Sequence, residues 1–412
     1  MKGSWIKRLA LTAAVVSVAA MAHAETLRVT VAEYSKKTGP YFNDAAKAFE
    51  KANPGAEVQI EVVPWNTLLQ KLTTDISAGA NADISIIGTR WMIDFVSQDL
   101  LQPLDKFITP EFKDRFIPVF FKPGTMNGKI YGLPVAASAR AMYYNKDLFK
   151  KAGIENPPDT WKELAADAKK ISALGKGIAG FGLQGKEIET DVYFYYAFWA
   201  FGGDLIDKDG TSGLDSQAGY DAAKLYKQLI DDKSTQPGVT SYTREDVQNL
   251  FKQGKVGMMI TAPFLSKQIA TEAPDLNYGV AAIPAGPNGD RGTYAVTDSI
   301  VMFKNSEHKD LAWKFMDMLF TPKWRERFTS GEGFLPVNKE VAKMPEFAGN
   351  KDLKEFTNLL PDARFAPVIS GWEQIADTTK NALQTIYLGK GDIKPTLDQA
   401  ASEINDILKQ NK

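Results

Sequence analysis

Leu27, Val29 and Val31 alternate with polar neighbours, the period-two pattern of a half-buried strand. From Tyr41 to Lys51, Phe42, Ala45, Ala46 and Phe49 fall at helical spacing, and Asn53-Pro54-Gly55 ends the run. Val58, Ile60 and Val62 alternate again, Leu68, Leu69, Leu72 and Ile76 form a second helical face, and Asp83-Ile84-Ser85-Ile86-Ile87 predicts a third strand. Strand, helix, strand, helix, strand implies an α/β fold, a mostly parallel sheet covered by helices. Ligands of such sheets bind outside the carboxyl ends of the strands. The first such loop is Ala32-Glu33-Tyr34-Ser35-Lys36, and the third is Gly88-Thr89-Arg90-Trp91. Each carries hydrogen-bonding side chains beside an aromatic ring.

A second α/β region follows. Met142-Tyr143-Tyr144 predicts a strand. Thr160 and Glu163 have the spacing of a capping box, and the helix after them carries Trp161, Leu164, Ala168 and Ile171 on one face. Strands are expected at 181–183, 256–260 and 278–283, and helices at 220–230, 244–251 and 312–319. Pro284-Ala285-Gly286-Pro287-Asn288-Gly289 is a turn-rich break between regions. A last helix carries Leu397, Ala400, Ala401, Ile404 and Leu408.

The start of the chain sets the compartment. Lys2, Lys7 and Arg8 precede a 13-residue apolar run, Leu9 to Met21, and Ala22-His23-Ala24 is a small-x-small cleavage site. This predicts a signal peptide over 1–24, because the run is shorter than the roughly 20 residues a spanning helix needs. Of 412 residues, 388 then remain, room for two domains. The chain has no cysteine, hence no disulfide and no lipid-bearing thiol at the cleavage site. An exported, freely soluble protein of a two-membrane bacterium would sit in the periplasm. Subtracting Lys2, Lys7 and Arg8 from 49 basic residues leaves 46 against 50 acidic ones, a charge of −4. That balance offers no field for nucleic acid and no polybasic membrane patch.

Candidate chemistry is sparse. After processing only His308 remains, so a histidine-based triad, general base or zinc site would have to use that one residue. Gly180 to Gly185 matches G-x-G-x-x-G, but Glu187 stands where a P-loop needs Ser or Thr, and no firm strand leads in. Asp207-Lys208-Asp209-Gly210 suggests a calcium loop, yet Leu205 and Ser216 occupy its acidic end positions, so a tight turn is expected. No metal and no cofactor is expected. From Tyr193 to Phe201 seven of nine residues are aromatic, too many for one helix face. Most should pack in the core, while Tyr195 and Trp199 share a face and could border a cavity. Aromatic rings beside polar side chains suit a polyhydroxylated ligand.

Ordered blocks then converge. They include Phe49-Glu50-Lys51-Ala52-Asn53-Pro54-Gly55, Gly128-Lys129-Ile130-Tyr131-Gly132-Leu133-Pro134, Tyr144-Asn145-Lys146-Asp147-Leu148, Pro157-Pro158-Asp159-Thr160-Trp161-Lys162-Glu163 and Phe201-Gly202-Gly203-Asp204. Across nearly the whole chain after the signal, the sequence resembles the family 1 extracellular solute-binding proteins of ABC transporters, the group that includes maltose-binding protein. The resemblance implies two α/β lobes that close on a ligand between them and dock on a membrane permease. It implies lobe 1 over 25–137 plus 284–335 and lobe 2 over 138–283 plus 336–412, with crossings near Ser138, Pro284 and Pro336. It implies a monomer with a small carbohydrate ligand and no turnover.

The strand-edge rule offers Glu33 and Tyr34 as ligand contacts, and the resemblance implies contacts from Arg90, Trp91, Ser138, Arg140, Asp191, Tyr195, Phe264, Arg364 and Trp372. Phe264 stands where sugar binders often place a stacking tryptophan, and Trp372 matches a late aromatic platform. If Arg90, Arg140 and Arg364 converged unpaired, they would favour a sugar acid or glycerol phosphate. If carboxylates neutralise them, a neutral carbohydrate or polyol is expected, and that is the preferred reading. A secreted glycan-processing enzyme using carboxylates is the alternative from another class, and a partner presenting bound ligand to a receptor is a third.

Overall fold

The computed structural model describes residues 25–187, 189–367 and 369–410, so the signal-peptide segment 1–24 lies outside the described residues. The first sheet begins as the alternation predicts. Strand β1 (Glu25–Glu33), helix α1 (Thr38–Ala52), β2 (Ala56–Pro64), α2 (Trp65–Ser77) and β3 (Ile84–Gly88) follow in order, and β1 pairs in parallel with both β2 and β3. Strand β4 (Gly132–Ser138) leads into the second sheet, which holds β5 (Ala141–Asn145), β6 (Ala179–Phe181), β7 (Val256–Thr261) and β8 (Tyr278–Ala281) in the order β8-β5-β7-β6. Strand β9 (Val296–Met302) returns to the first sheet, whose order is β2-β1-β3-β9-β4. It runs antiparallel to β3 and to β4.

Two strands of the first sheet, β4 and β9, are not marked by alternation in the sequence. β4 is buried at every position and β9 at all but its first, so both faces are covered and the period-two signal vanishes. Strand β6 lies two residues earlier than the sequence suggests. Gly182 donates from its backbone to Met258 O, but Leu183 N is taken by the Gln236 side chain, which ends the ladder.

Each sheet has its own core. Phe42, Phe49, Ile86, Phe315 and Phe328 fill the first, and Trp161, Phe194, Tyr226, Leu383 and Ile404 the second. In the second lobe, helix α3 (Trp161–Ser172) opens with the expected capping box: Thr160 accepts from Glu163 N, and Glu163 accepts from Thr160 N. Helix α4 (Thr190–Ala200) carries the aromatic cluster and is buried at every position. It packs against α5 (Gln217–Asp231) and the helix Trp372–Tyr387, and its rings fill core. Each fully buried phenylalanine side chain contributes about 1.5–3 kcal/mol over exposure. Trp199 is 2% exposed, and its ring stacks on Tyr294 at 5.8 Å.

Motifs that the sequence argued against take the expected forms. Gly180–Gly185 leaves β6 without entering a helix, since α4 starts only at Thr190. Asp207–Gly210 is a turn, with Gly210 N on Asp207 O and Gly210 at a φ of 83°. Among the described residues no cluster of His, Cys, Asp and Glu could hold a metal, and no helix is long and apolar enough to cross a membrane.

The links between sheets are laced together. Arg140 N donates to Thr293 Oγ1 at 3.0 Å, and Thr293 Oγ1 donates back to Arg140 O at 2.8 Å. Leu335 N donates to Ala137 O at 2.9 Å. Three chain segments thus meet where β4 hands over to β5.

Candidate ligand-binding cleft

Strand direction decides which side chains face the gap between the lobes. β4 runs parallel to β1 and β3, and β9 runs against them. The carboxyl ends of β1, β3 and β4 and the start of β9 therefore share one edge. That edge presents Tyr34, Arg90, Trp91, Ser138 and Asp298. In the second sheet the edge holding the start of β5 and the end of β7 presents Arg140, Phe264 and the start of α4, where Glu189 precedes the helix and Asp191 lies in its first turn.

Asp298 sits at an irregularity in the ladder between β9 and β4: it faces Ala136, while the next residue, Ser299, faces Pro134, which has no N–H to donate. Its Oδ2 accepts from Tyr34 Oη at 3.0 Å. Burial pushes the Asp298 carboxyl up to about 7, against the opposing pull of the Tyr34 bond. The Tyr34 ring meets Phe334 edge-on at 5.0 Å, Phe334 meets Phe264 at 5.8 Å, and the Arg244 guanidinium lies 5.3 Å from the Phe264 centroid. This chain of rings runs from one lobe to the other.

Ion pairs stand around the cleft. Arg90 Nε lies 2.6 Å from Glu373 Oε1, and Arg90 Nη2 donates to Glu373 Oε2 at 3.1 Å. Glu373 belongs to helix α11 (Trp372–Tyr387; α6 to α10 being Arg244–Lys252, Phe264–Glu272, Lys309–Leu319, Pro322–Glu332 and Lys351–Asn358). α11 packs on α4 and α5 of the second lobe, so this pair joins the lobes. Arg140 donates from Nη1 to Ser138 Oγ at 2.7 Å, and its Nη2 is 3.7 Å from Glu189 Oε1. Arg244 Nη1 donates to both oxygens of Glu189, at 3.0 and 2.7 Å. Glu189 holds a φ of 91°, a strained region for a residue with a side chain that costs about 1–3 kcal/mol. Asp191 braces it by accepting from Glu189 N at 2.9 Å. Burial pushes Asp191 up to about 6, with Arg90 pulling the other way.

The structure thus brings Tyr34, Arg90, Ser138, Arg140, Asp191 and Phe264 into one interlobe network. Trp91 adjoins it, 8% exposed, with its ring 5.6 Å from Trp65. Tyr195 and Trp372 are fully buried, with ring centroids 6.4 Å apart inside the second core. Arg364 lies at the rim, its guanidinium 5.4 Å from the Trp199 centroid and 3.7 Å from Asp204. Glu33 is exposed at the end of β1, apart from these contacts. Beside the network, a recess of about 420 Å³ has Trp91, Asp94, Gly371 and Glu373 in its wall, but not Tyr34, Ser138, Arg140 or Asp298.

Sequence reasoning missed Glu189, Arg244, Asp298 and Glu373. The one local signal was Asp298, a lone acid inside Val296-Thr297-Asp298-Ser299-Ile300-Val301, where a buried carboxylate needs a partner.

A family model for bacterial extracellular solute-binding proteins matches residues 32–326. The chain belongs to that family. This solute-binding protein is 64% identical over 406 residues, 98% of its own length and 99% of the relative's, to a Brucella abortus (strain 2308) protein that carries only a provisional binding-protein name. In structure it is similar to an ABC transporter solute-binding protein from Thermotoga lettingae solved with α-D-tagatose, with 26% identity, a TM-score of 0.86, and coverage of 93% of this chain and 100% of the other. It is also similar to maltose-bound T. maritima MalE3, with 26% identity, a TM-score of 0.85 and the same coverage. The solute-binding protein therefore has the two-lobed fold that the resemblance implied.

Proposed function

We propose that this solute-binding protein captures a neutral sugar between its lobes and delivers it to the permease of an ABC importer, from the periplasm and as a monomer without turnover. The carrying observation is the charge balance of the cleft. Arg90 faces Glu373, and Arg140 and Arg244 face Glu189, with Asp298 and Asp191 close by. An anion would find no surplus positive charge there, whereas sugar hydroxyls can both donate to carboxylates and accept from guanidinium groups. Relatives and neighbours named for tagatose, maltose and maltotriose support a carbohydrate. A linear polyol offers the same hydroxyls and is the second reading.

The lobes are read as 25–137 plus 284–335 and 138–283 plus 336–412. The chain leaves the first sheet at Ser138 and returns to it at Val296, and Phe334 and Phe356 pack in different cores, which supports crossings near Ser138 and Pro336; Ile283 and Tyr294 pack in the second core, which favours a return nearer Val296 than Pro284. Ligand would bias an equilibrium between open and closed lobes.

The test is a thermal-shift screen of refolded, ligand-stripped protein against sugars, polyols, sugar acids and glycerol phosphates. At about 1,000 times its dissociation constant, a ligand stabilises by roughly 4 kcal/mol, several degrees. A neutral sugar that shifts the transition and is recovered unchanged supports the proposal. A preference for anions, or consumption of a glycan, contradicts it.

A further inference from the structure

We infer that Glu189 is the specificity-determining residue of the cleft, the carboxylate that makes the site refuse anionic sugars. This rests on the neutral-sugar reading above and names the group responsible. Arg140 is a buried cation at the link between the lobes, 3% exposed, tied to Ser138. Glu189 is the one carboxylate within 4 Å of its guanidinium among the described residues. Arg244, by contrast, has a second carboxylate: Nη2 donates to Glu245 Oε1 at 2.6 Å. Removing Glu189 therefore leaves Arg140 a desolvated guanidinium with no carboxylate within 4 Å and only the more distant charge of Asp298 acting on it, a group suited to seize a carboxylate or phosphate.

The backbone argues the same way. Glu189 occupies the left-handed region at a φ of 91°, uncommon for a side-chain-bearing residue, and Asp191, itself fully buried, holds its N–H. The strained turn aims one carboxylate at two guanidinium groups on different segments. Its charge also reaches Arg90 and Asp298 on the opposite lobe. An entering carboxylate or phosphate would meet Glu189 in a site largely screened from water, where like-charge repulsion is strong. A neutral hydroxyl can bond to Glu189 as a donor.

The experiment compares wild type, Glu189→Gln, Glu189→Asp and Glu245→Gln by calorimetric titration at fixed ionic strength. The probes are D-glucose with D-glucuronate, D-galactose with D-galacturonate, and inorganic phosphate. Glu189→Gln is expected to raise the uronate-to-hexose affinity ratio by about tenfold or more, and to bind phosphate that wild type does not. Glu189→Asp, one methylene shorter, keeps the charge and gives a smaller rise, about threefold, which preserves the test if the glutamine variant does not fold. Glu245→Gln removes a carboxylate from the same Arg244 and leaves the ratio at the wild-type value. A Glu189→Gln ratio equal to wild type with no phosphate binding overturns the inference, as does an equal rise in Glu245→Gln. If wild type binds neither hexose, the phosphate arm alone decides the role of Glu189, and the thermal-shift screen separately decides the neutral-sugar reading.

Discussion

Arg90 and Glu373 join the two lobes through two contacts, Nε to Oε1 at 2.6 Å and Nη2 to Oε2 at 3.1 Å, with each side chain 18% exposed. Asp94 adds a nearby contact by accepting from Gly371 N at 3.2 Å. A bidentate pair so placed stabilises the closed arrangement and not an open one. Glu373→Gln should lower the population of closed protein and weaken the apparent affinity for sugar by about tenfold, because apparent affinity falls with the fraction of binding-competent molecules. Titration calorimetry checks this. An unchanged affinity would show that the pair does not set closure.

Asp298 gives a pH signature. Burial first, against the Tyr34 bond, holds its carboxyl at about 7 in the fold, above the usual carboxylate range of an unfolded chain. A raised carboxyl means that the folded state binds the proton more tightly. Its contribution to stability is therefore present at low pH and is lost as pH rises from about 4 to 7, at no more than about 1.4 kcal/mol per unit. Asp191, at about 6, adds to the same slope. Asp298→Asn should gain in melting temperature relative to wild type between pH 5 and pH 8. Parallel melting curves across that range would remove Asp298 from the account.

Trp372 is fully buried against Tyr195, so truncating it removes core before it removes any ligand contact. Trp372→Ala should cost about 3–5 kcal/mol of stability, read by urea unfolding. Trp372→Phe should keep most of that stability, and its sugar affinity then reports whether the indole also contacts ligand.

Gly286 lies in the segment that returns the chain to the first sheet. A Cβ added there would stand 1.7 Å from Ala200 O, at the end of α4. Backbone cannot yield cheaply to such a contact. Gly286→Ala should lower the melting temperature by several degrees, whereas Gly289→Ala, which meets nothing within 4 Å, pays only for its positive φ of 83°.

The division between what the chain announces and what it conceals follows the range of the interactions. Amphipathic periods marked β1, α1, β2, α2 and β3, and the Thr160–Glu163 capping box formed as spaced. These are contacts between near neighbours, written within a few residues of sequence. β4 and β9 escaped because strands buried on both faces carry no alternation. The edge rule located Tyr34 and Arg90, since the end of a strand is a local feature. Glu189, Asp298 and Glu373 had no such marker. Each is a single acid whose partner lies between 49 and 283 residues away, and only the folded topology brings Glu189 to Arg140, Asp298 to Tyr34, and Glu373 to Arg90.

The central claim is that a neutral sugar closes the two lobes. Small-angle X-ray scattering during titration with the sugar selected by thermal shift tests it most directly. The account predicts a saturable fall in radius of gyration, half-complete at the ligand concentration that half-saturates calorimetric binding, with Glu373→Gln needing more sugar to reach the same compact form. A radius of gyration unchanged at full saturation would contradict it.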